Sequence, residues 1–366
     1  MDCISSYSKI SLPQLRNTLL STRVFSPFNL QSKKTSLVVV ASTKNNNNSN
    51  NNNSCEYSGL TAPLVPSTAA GRSLSGALQS GRDGFFHAVV EKELVKLAYM
   101  RDGAFLRMNL TLCSDESVLH RRISDLRELE CRKAVEDVMY MLVVYKFSEI
   151  GVHLVPKLSK CMYNGRLEIW PCKDWELESI HSSGILEMVK EHLSSIIGWK
   201  DKWTLTQTEK LHIRLVYAAS IRYGYFLKSA SMRYHLEQSF DHINSDLSNI
   251  TTSSNLLFSR SWPLKQKSVT FVGPVSLIEE MQQENLTSYV TSLDHEIVQM
   301  CKKPKFKEAM SLIEKHCSAL FGDESDEVVL TSSASLKRFV LEAVAFGSFL
   351  WDAEDYVRAF YRLEEN

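Results

Sequence analysis

SIRYGYFLKSASMRYHLE (residues 220–237) and AVAFGSFLWDAEDYVRAF (residues 343–360) share one pattern: an aromatic, glycine, one residue, Phe-Leu, two residues, alanine. Their spacing of 123 residues extends outward, pairing Thr208 with Thr331, Val216 with Phe339, Gly224 with Gly347 and Ala230 with Ala353. Just upstream the spacing becomes 124, and VKEHLSSIIG (189–198) faces IEKHCSALFG (313–322), matching His192 to His316 and Gly198 to Gly322. The single-residue slip falls between the blocks, where a loop tolerates insertion. A third block at spacing 203 sets Ser73-Leu74 against Ser276-Leu277 and Glu93-Leu94-Val95 against Glu296-Ile297-Val298. The chain therefore reads as an internal repeat whose first copy is interrupted by an insertion at about 98–177.

Within each copy the periodicity is helical. SLIEEMQQENLTSYVTSLDHEIVQM and FKEAMSLIEKHCSALFG carry apolar residues at three-to-four spacing, and the second closes on Gly322 as a C-cap. Short β-prone pieces, WTLT and VVLT, follow, and they are expected to pair with each other. Long helices over about 208–238 and 333–362 come next, with Thr206-x-x-Glu209 in capping-box form and Ser332 or Ser333 as the other cap. ESVLHRRISDLRELECRKAVEDVMYMLVVYKFSEI predicts one more long helix, and LRMNLTL before it alternates like a strand. KLSKCMYNGRLEIWPCKDWE has no clear period and reads as a loop. The fold class is mainly α: two related helical modules with a few short strands.

The ends and joints differ in composition. Residues 1–42 hold five basic residues, one acid and many serines, with VVVAS as a cleavage-like site, which reads as a plastid transit peptide. KNNNNSNNNNSC within 43–72 is a low-complexity linker that cannot bury a core. The first module is expected over 73–243, a polar linker over 244–269 and the second module over 270–366. The remainder, with 37 basic and 41 acidic residues, generates no positive field that would draw nucleic acid. No run approaches the roughly 18–20 apolar residues of a membrane span. The eight cysteines include no C-x-x-C pair and are expected to be reduced thiols; Cys161 and Cys172 carry no bridge in this reading.

Glycine inside a helix costs about 1 kcal/mol against alanine, so Gly224 and Gly347 require a packing reason. Thinned further by Ala218, Ala219, Ala343 and Ala345, the two helices can approach closely, with Phe226, Leu227, Phe349 and Leu350 filling the core around the contact. The competing reading is a pocket roofed by Tyr223, Tyr225 and Tyr234. His192 and His316 have no second ligand at a metal-binding offset and read as structural. The basic residues of HRRISDLRELECRKAVED alternate with acids, which suits a solvated helix face. No catalytic motif, metal site or cofactor site is found.

The segment TLTQTEKLHIRLVYAASIRYGYFLKSASMRYHLEQS, together with LTLCSDESVLHRR and RKAVEDVMYMLVVYKF, resembles the plant and cyanobacterial family known as domain of unknown function 760, in particular its plastid members. The resemblance covers most of residues 73–363. Ser348 stands where the first copy has Tyr225, so a role for that ring is not shared. What the resemblance implies is a plastid location and a link to light or UV-B stress; it supplies no catalytic residues, and the stroma is the compartment expected for this chain. Function is expected through protein partners, with a small-ligand or enzymatic site in the groove between modules as the alternative.

Overall fold

The computed structural model describes residues 62–81, 84–111, 115–198, 204–252, 286–322 and 327–362, with backbone alone for 241–252. The expected transit peptide and most of the Asn/Ser-rich linker lie outside the described residues. In chain order come α1 (Ala69–Gln79), α2 (Phe85–Leu110), α3 (Ser117–Glu149), β1 (Met162–Tyr163), β2 (Arg166–Leu167), α4 (Asp174–Glu178) and α5 (Ser183–Ile197). They are followed by β3 (Leu205–Glu209), α6 (Lys210–Thr252), α7 (286–292), α8 (His295–Lys302), α9 (Lys307–Phe321), β4 (Val328–Ser332) and α10 (Ser333–Phe360). The chain is mainly α, as its periodicity predicts.

The small sheet has the order β1-β2-β4-β3. The two β-prone pieces do pair: β3 and β4 run antiparallel, with Leu205 opposite Ser332, Thr206 opposite Thr331 and Gln207 opposite Leu330. Gln207 and Leu330 are themselves 123 residues apart, so a two-fold through this central pair maps the ladder onto itself. The helices continue the correspondence. α6 and α10 begin 123 residues apart, and α5 and α9 are both 15 residues long. Each short helix stops on a glycine in positive φ, 69° at Gly198 and 72° at Gly322, whose N–H donates to Ser194 O or Ser318 O at 2.9 Å. α5 packs chiefly on α10, whereas α9 packs on α6 and α3.

Apolar residues explain which helices are central. From Ala134 to Val144 every side of α3 is buried, and so is α10 from Arg338 to Gly347; a helix apolar all round belongs inside. α6 leaves the sheet beside α10 and in the same direction, since Tyr217 meets Phe339 and Glu342 while Lys228 meets Asp352. α3 lies within the expected insertion, yet its buried half is part of the main core.

Several expectations are corrected. Residues 106–110 of LRMNLTL are the last turn and a half of α2, because their alternation has no strand to pair with and Leu106 and Leu110 face solvent. Thr206 is a strand residue, so the capping box does not form; Ser332 does cap α10, accepting from Ser335 N at 3.2 Å. The helix expected to run to Met300 breaks at Leu293-Asp294, where extended Asp294 precedes α8. The polar stretch from 244 does not end α6, whose backbone stays helical to Thr252. KLSKCMYNGRLEIWPCKDWE, expected as a loop, contains the β1–β2 hairpin, turned by Asn164 and Gly165 at φ 49° and 74°.

A built Cβ at Gly224 would overlap the carbonyl oxygen of Val344 and stand 2.8 Å from its Cα. A Cβ at Gly347 would overlap Ile221 O and stand 2.7 Å from Tyr225 N. Val344 and Ile221 are again 123 residues apart, so the contact is reciprocal. Gly224→Ala or Gly347→Ala must force two backbones apart and is expected to cost about 3 kcal/mol or more in urea unfolding. Exposed Gly76 in α1 has nothing within 4 Å of its built Cβ, and Gly76→Ala should stabilise by about 0.5–1 kcal/mol.

Candidate functional site

The residues singled out in the sequence assemble at the α6–α10 contact. Gly224 and Gly347 touch the facing backbone, and Phe226, Leu227, Phe349 and Leu350 are buried around them. Phe349 meets the edge of Phe147 of α3 at 5.1 Å. Half-buried Tyr223 stacks on His192 at 4.3 Å and donates to Met188 O at 3.2 Å. Tyr225 is buried and donates a short hydrogen bond to Glu354. None of these side chains borders the cleft beside the end of α9. This cleft, about 390 Å³, is lined by Lys157, Met162, Lys210, Ser318, Phe321 and Glu327 among others.

Beneath the contact lies a sealed polar chain that the sequence reading missed. Glu342, fully buried, receives Val155 N at 3.0 and 3.2 Å, Tyr217 Oη at 3.1 Å and Arg338 Nη2 at 2.9 Å. Tyr217 has a single proton, and giving it to Glu342 leaves its oxygen to accept from His316 Nε2 at 3.0 Å. The network therefore assigns His316 as the Nε2–H tautomer, with a bare lone pair on Nδ1. A second proton on that imidazole would have no acceptor, and burial pushes His316 down to about 3. His192, hydrogen-bonded to Ser220 Oγ at 3.0 Å, is pushed down to about 4 by the same cause. Burial also raises Glu342 above the ordinary carboxylate range, an effect opposed by Arg338 and by the donors of Val155 and Tyr217.

Two other buried carboxylates are used in the same way. Glu354 accepts from Tyr225 and from Phe306 N at 2.9 Å, which fixes the entry to α9. Asp137 accepts from Ser67 N at 2.9 Å and from Thr68 N and Oγ1 at 2.7 and 2.8 Å, which fixes the entry to α1. Each acid anchors a connecting segment by its backbone N–H. Such groups hold a fold together; their lone pairs are engaged by the chain itself.

The outer half of the α2–α3 hairpin has the opposite character. Tyr99, Leu106 and Leu110 form a solvent-facing stripe on α2, at 80, 60 and 85% exposure. Leu119, Ile123 and Leu126 form another on α3, flanked by exposed Val118 and Leu129. Amphipathic helices normally turn such stripes inward. Of the interleaved charges expected on a solvated face, the outer ones follow it, with Arg127 paired to Glu130 and Arg132 to Glu128, whereas Glu136 and Asp137 at the end of that stretch are buried because the helix enters the core there.

Comparison with known proteins agrees with the resemblance. The family model described as protein of unknown function (DUF760) matches residues 118–240. A UV-B-induced chloroplastic protein of Arabidopsis thaliana is 36% identical over 330 residues, covering 83% of this chain and 78% of that protein. The chain belongs to the DUF760 family. No solved structure matches it. The relative's compartment supports a chloroplast location here, in line with the acid-poor, serine-rich start of the chain. In this family member, no helix among the described residues is long and apolar enough to cross a membrane, and no group of three metal-ligating side chains is found there. The cysteines at 131, 161, 172, 301 and 317 are all unbridged.

The buried acids were legible only as charges inside apolar runs, VLEAVAF and AVEDVMY, and nothing in the sequence says what they hold. Glu342→Gln would place amide hydrogens against its donors and leave Arg338 uncompensated, for an expected loss of about 3–5 kcal/mol in chemical denaturation. Replacing both, Arg338→Met with Glu342→Leu, should recover much of it. The histidines set the acid response. A folded pKa below the unfolded value adds stability that is present above about pH 6.5 and is lost as pH falls through 4 toward 3. Unfolding free energy measured from pH 7 to 4 should fall, and His192→Gln combined with His316→Gln should reduce that slope, leaving the share of His181, which burial also pushes down to about 4.

Proposed function

We propose that this DUF760 member is a stromal, light- or UV-B-responsive protein that acts through contacts with protein surfaces rather than by catalysis. The observation that carries this reading is the contrast between the two ends of α2 and α3. Their inner halves are buried in the core, whereas their outer halves hold apolar stripes in water, the mark of an interaction surface. Glu342, Glu354 and Tyr217 are hydrogen-bonded by the chain's own backbone and side chains, which supports an architectural role for them. The two-fold correspondence of β3–α6 with β4–α10 supports reading 73–243 and 270–366 as two related modules. In that reading the modules form a rigid base, and the hairpin, from the segment inserted into the first of them, is the working part. The relative's UV-B induction supports the same setting for this chain.

A paired purification tests it. Tagged full-length chain and a Leu106→Asp/Leu110→Asp variant, both isolated from chloroplasts, are compared by native mass spectrometry. The wild type should carry a stoichiometric protein that the variant loses by about tenfold or more. A stoichiometric small molecule, retained equally by both and without bound protein, would overturn the proposal.

A further inference from the structure

The exposed stripes define an occupant more closely than a generic partner. On α3, Leu119, Ile123 and Leu126 recur at i, i+4 and i+7 and all face water; on α2, Tyr99, Leu106 and Leu110 recur at i, i+7 and i+11, again on one face in water. Side chains at this spacing fit another helix and suit a flat or irregular surface less well. Eight large apolar residues are involved, counting Val118 and Leu129. At on the order of 100 Å² each, they approach the ~800 Å² per partner that a stable interface buries.

Charge then selects among helical partners. Arg121 and Arg122 stand one turn before Asp125 on the same helix, all three are exposed, and no ion pair is found for them among the described residues. The surface holds both signs in short alternation. A strongly acidic or basic partner would meet a like charge, and an anionic membrane would meet Asp125, Glu116 and Glu130 along with the arginines. A second copy laid antiparallel about Ile123–Ser124 meets no such conflict. Arg122 comes alongside the partner's Asp125, and Val118 comes alongside the partner's Leu129.

We infer that the outer α2–α3 hairpin is a self-association surface, through which two copies of this chain form an antiparallel four-helix contact. The inference rests on the reading of the hairpin as an interaction surface and names its partner. Sedimentation equilibrium of the purified full chain should show a dimer at about 10 µM. Ile123→Asp should weaken it by about 30-fold or more, with far-UV circular dichroism unchanged because the residue is outside the core. Arg122→Asp should also weaken it, and Arg122→Asp with Asp125→Arg should restore it, which loss of folding could not mimic. A monomer at about 100 µM, or a dimer indifferent to Ile123→Asp, would overturn the inference. So would a monomer that co-sediments with phosphatidylcholine–phosphatidylglycerol vesicles in an Ile123-dependent way. If the chain is monomeric while its chloroplast partner is still lost with Leu106→Asp/Leu110→Asp, self-association fails and the proposed function stands. If it is monomeric and that capture also fails, both fall.

Discussion

Backbone contact between α6 and α10 is the constraint on which the rest of the structure depends. Two helices normally sit 8–10 Å apart, separated by their side chains. Here Gly224 faces the carbonyl of Val344 and Gly347 faces the carbonyl of Ile221, so nothing larger than hydrogen fits at either point. Such proximity fixes rotation and offset as well as distance, since sliding either helix by one residue would drive a side chain into the facing backbone. The ladder between β3 and β4 then follows, because both strands lead directly into these helices.

With the crossing set, polar groups determine where the connecting segments go. Glu342 and Glu354 on α10 and Asp137 on α3 each receive a backbone N–H from a segment far away in sequence. A buried carboxylate without those donors would be too costly to keep, and a connection without the carboxylate would lose its register. The acids and the connections therefore specify one another. The aromatic ring of His316, stacked on Phe346 at 4.3 Å, joins α9 to the same centre.

Much of this was legible in the sequence, and the parts that were not have physical reasons. A glycine among Ala218, Ala219, Phe226 and Leu227 announces close helix packing, and its echo at Gly347 announces what it packs against. Gly322 announces a helix end. Asn164-Gly165 announces a hairpin too, but its strands are only two residues long, too short to alternate. Leu106, Met108 and Leu110 alternate by accident, and only the absence of a neighbouring strand reveals it. Periodicity shows that α3 has an apolar stripe, but it cannot say that Leu119, Ile123 and Leu126 remain in water while Val135, Val138 and Leu142 do not. That difference depends on where the hairpin leaves the core, a property of tertiary structure.

The most direct measurement of the central claim is amide hydrogen exchange on the intact chain, resolved along α6 and α10. If their contact organises the fold, amides around Gly224 and Gly347 should be the slowest in the molecule and exchange only through global unfolding, while those of the outer α2 turn exchange far sooner. Exchange at the two glycines as fast as at Leu106 or Leu110 would contradict the account.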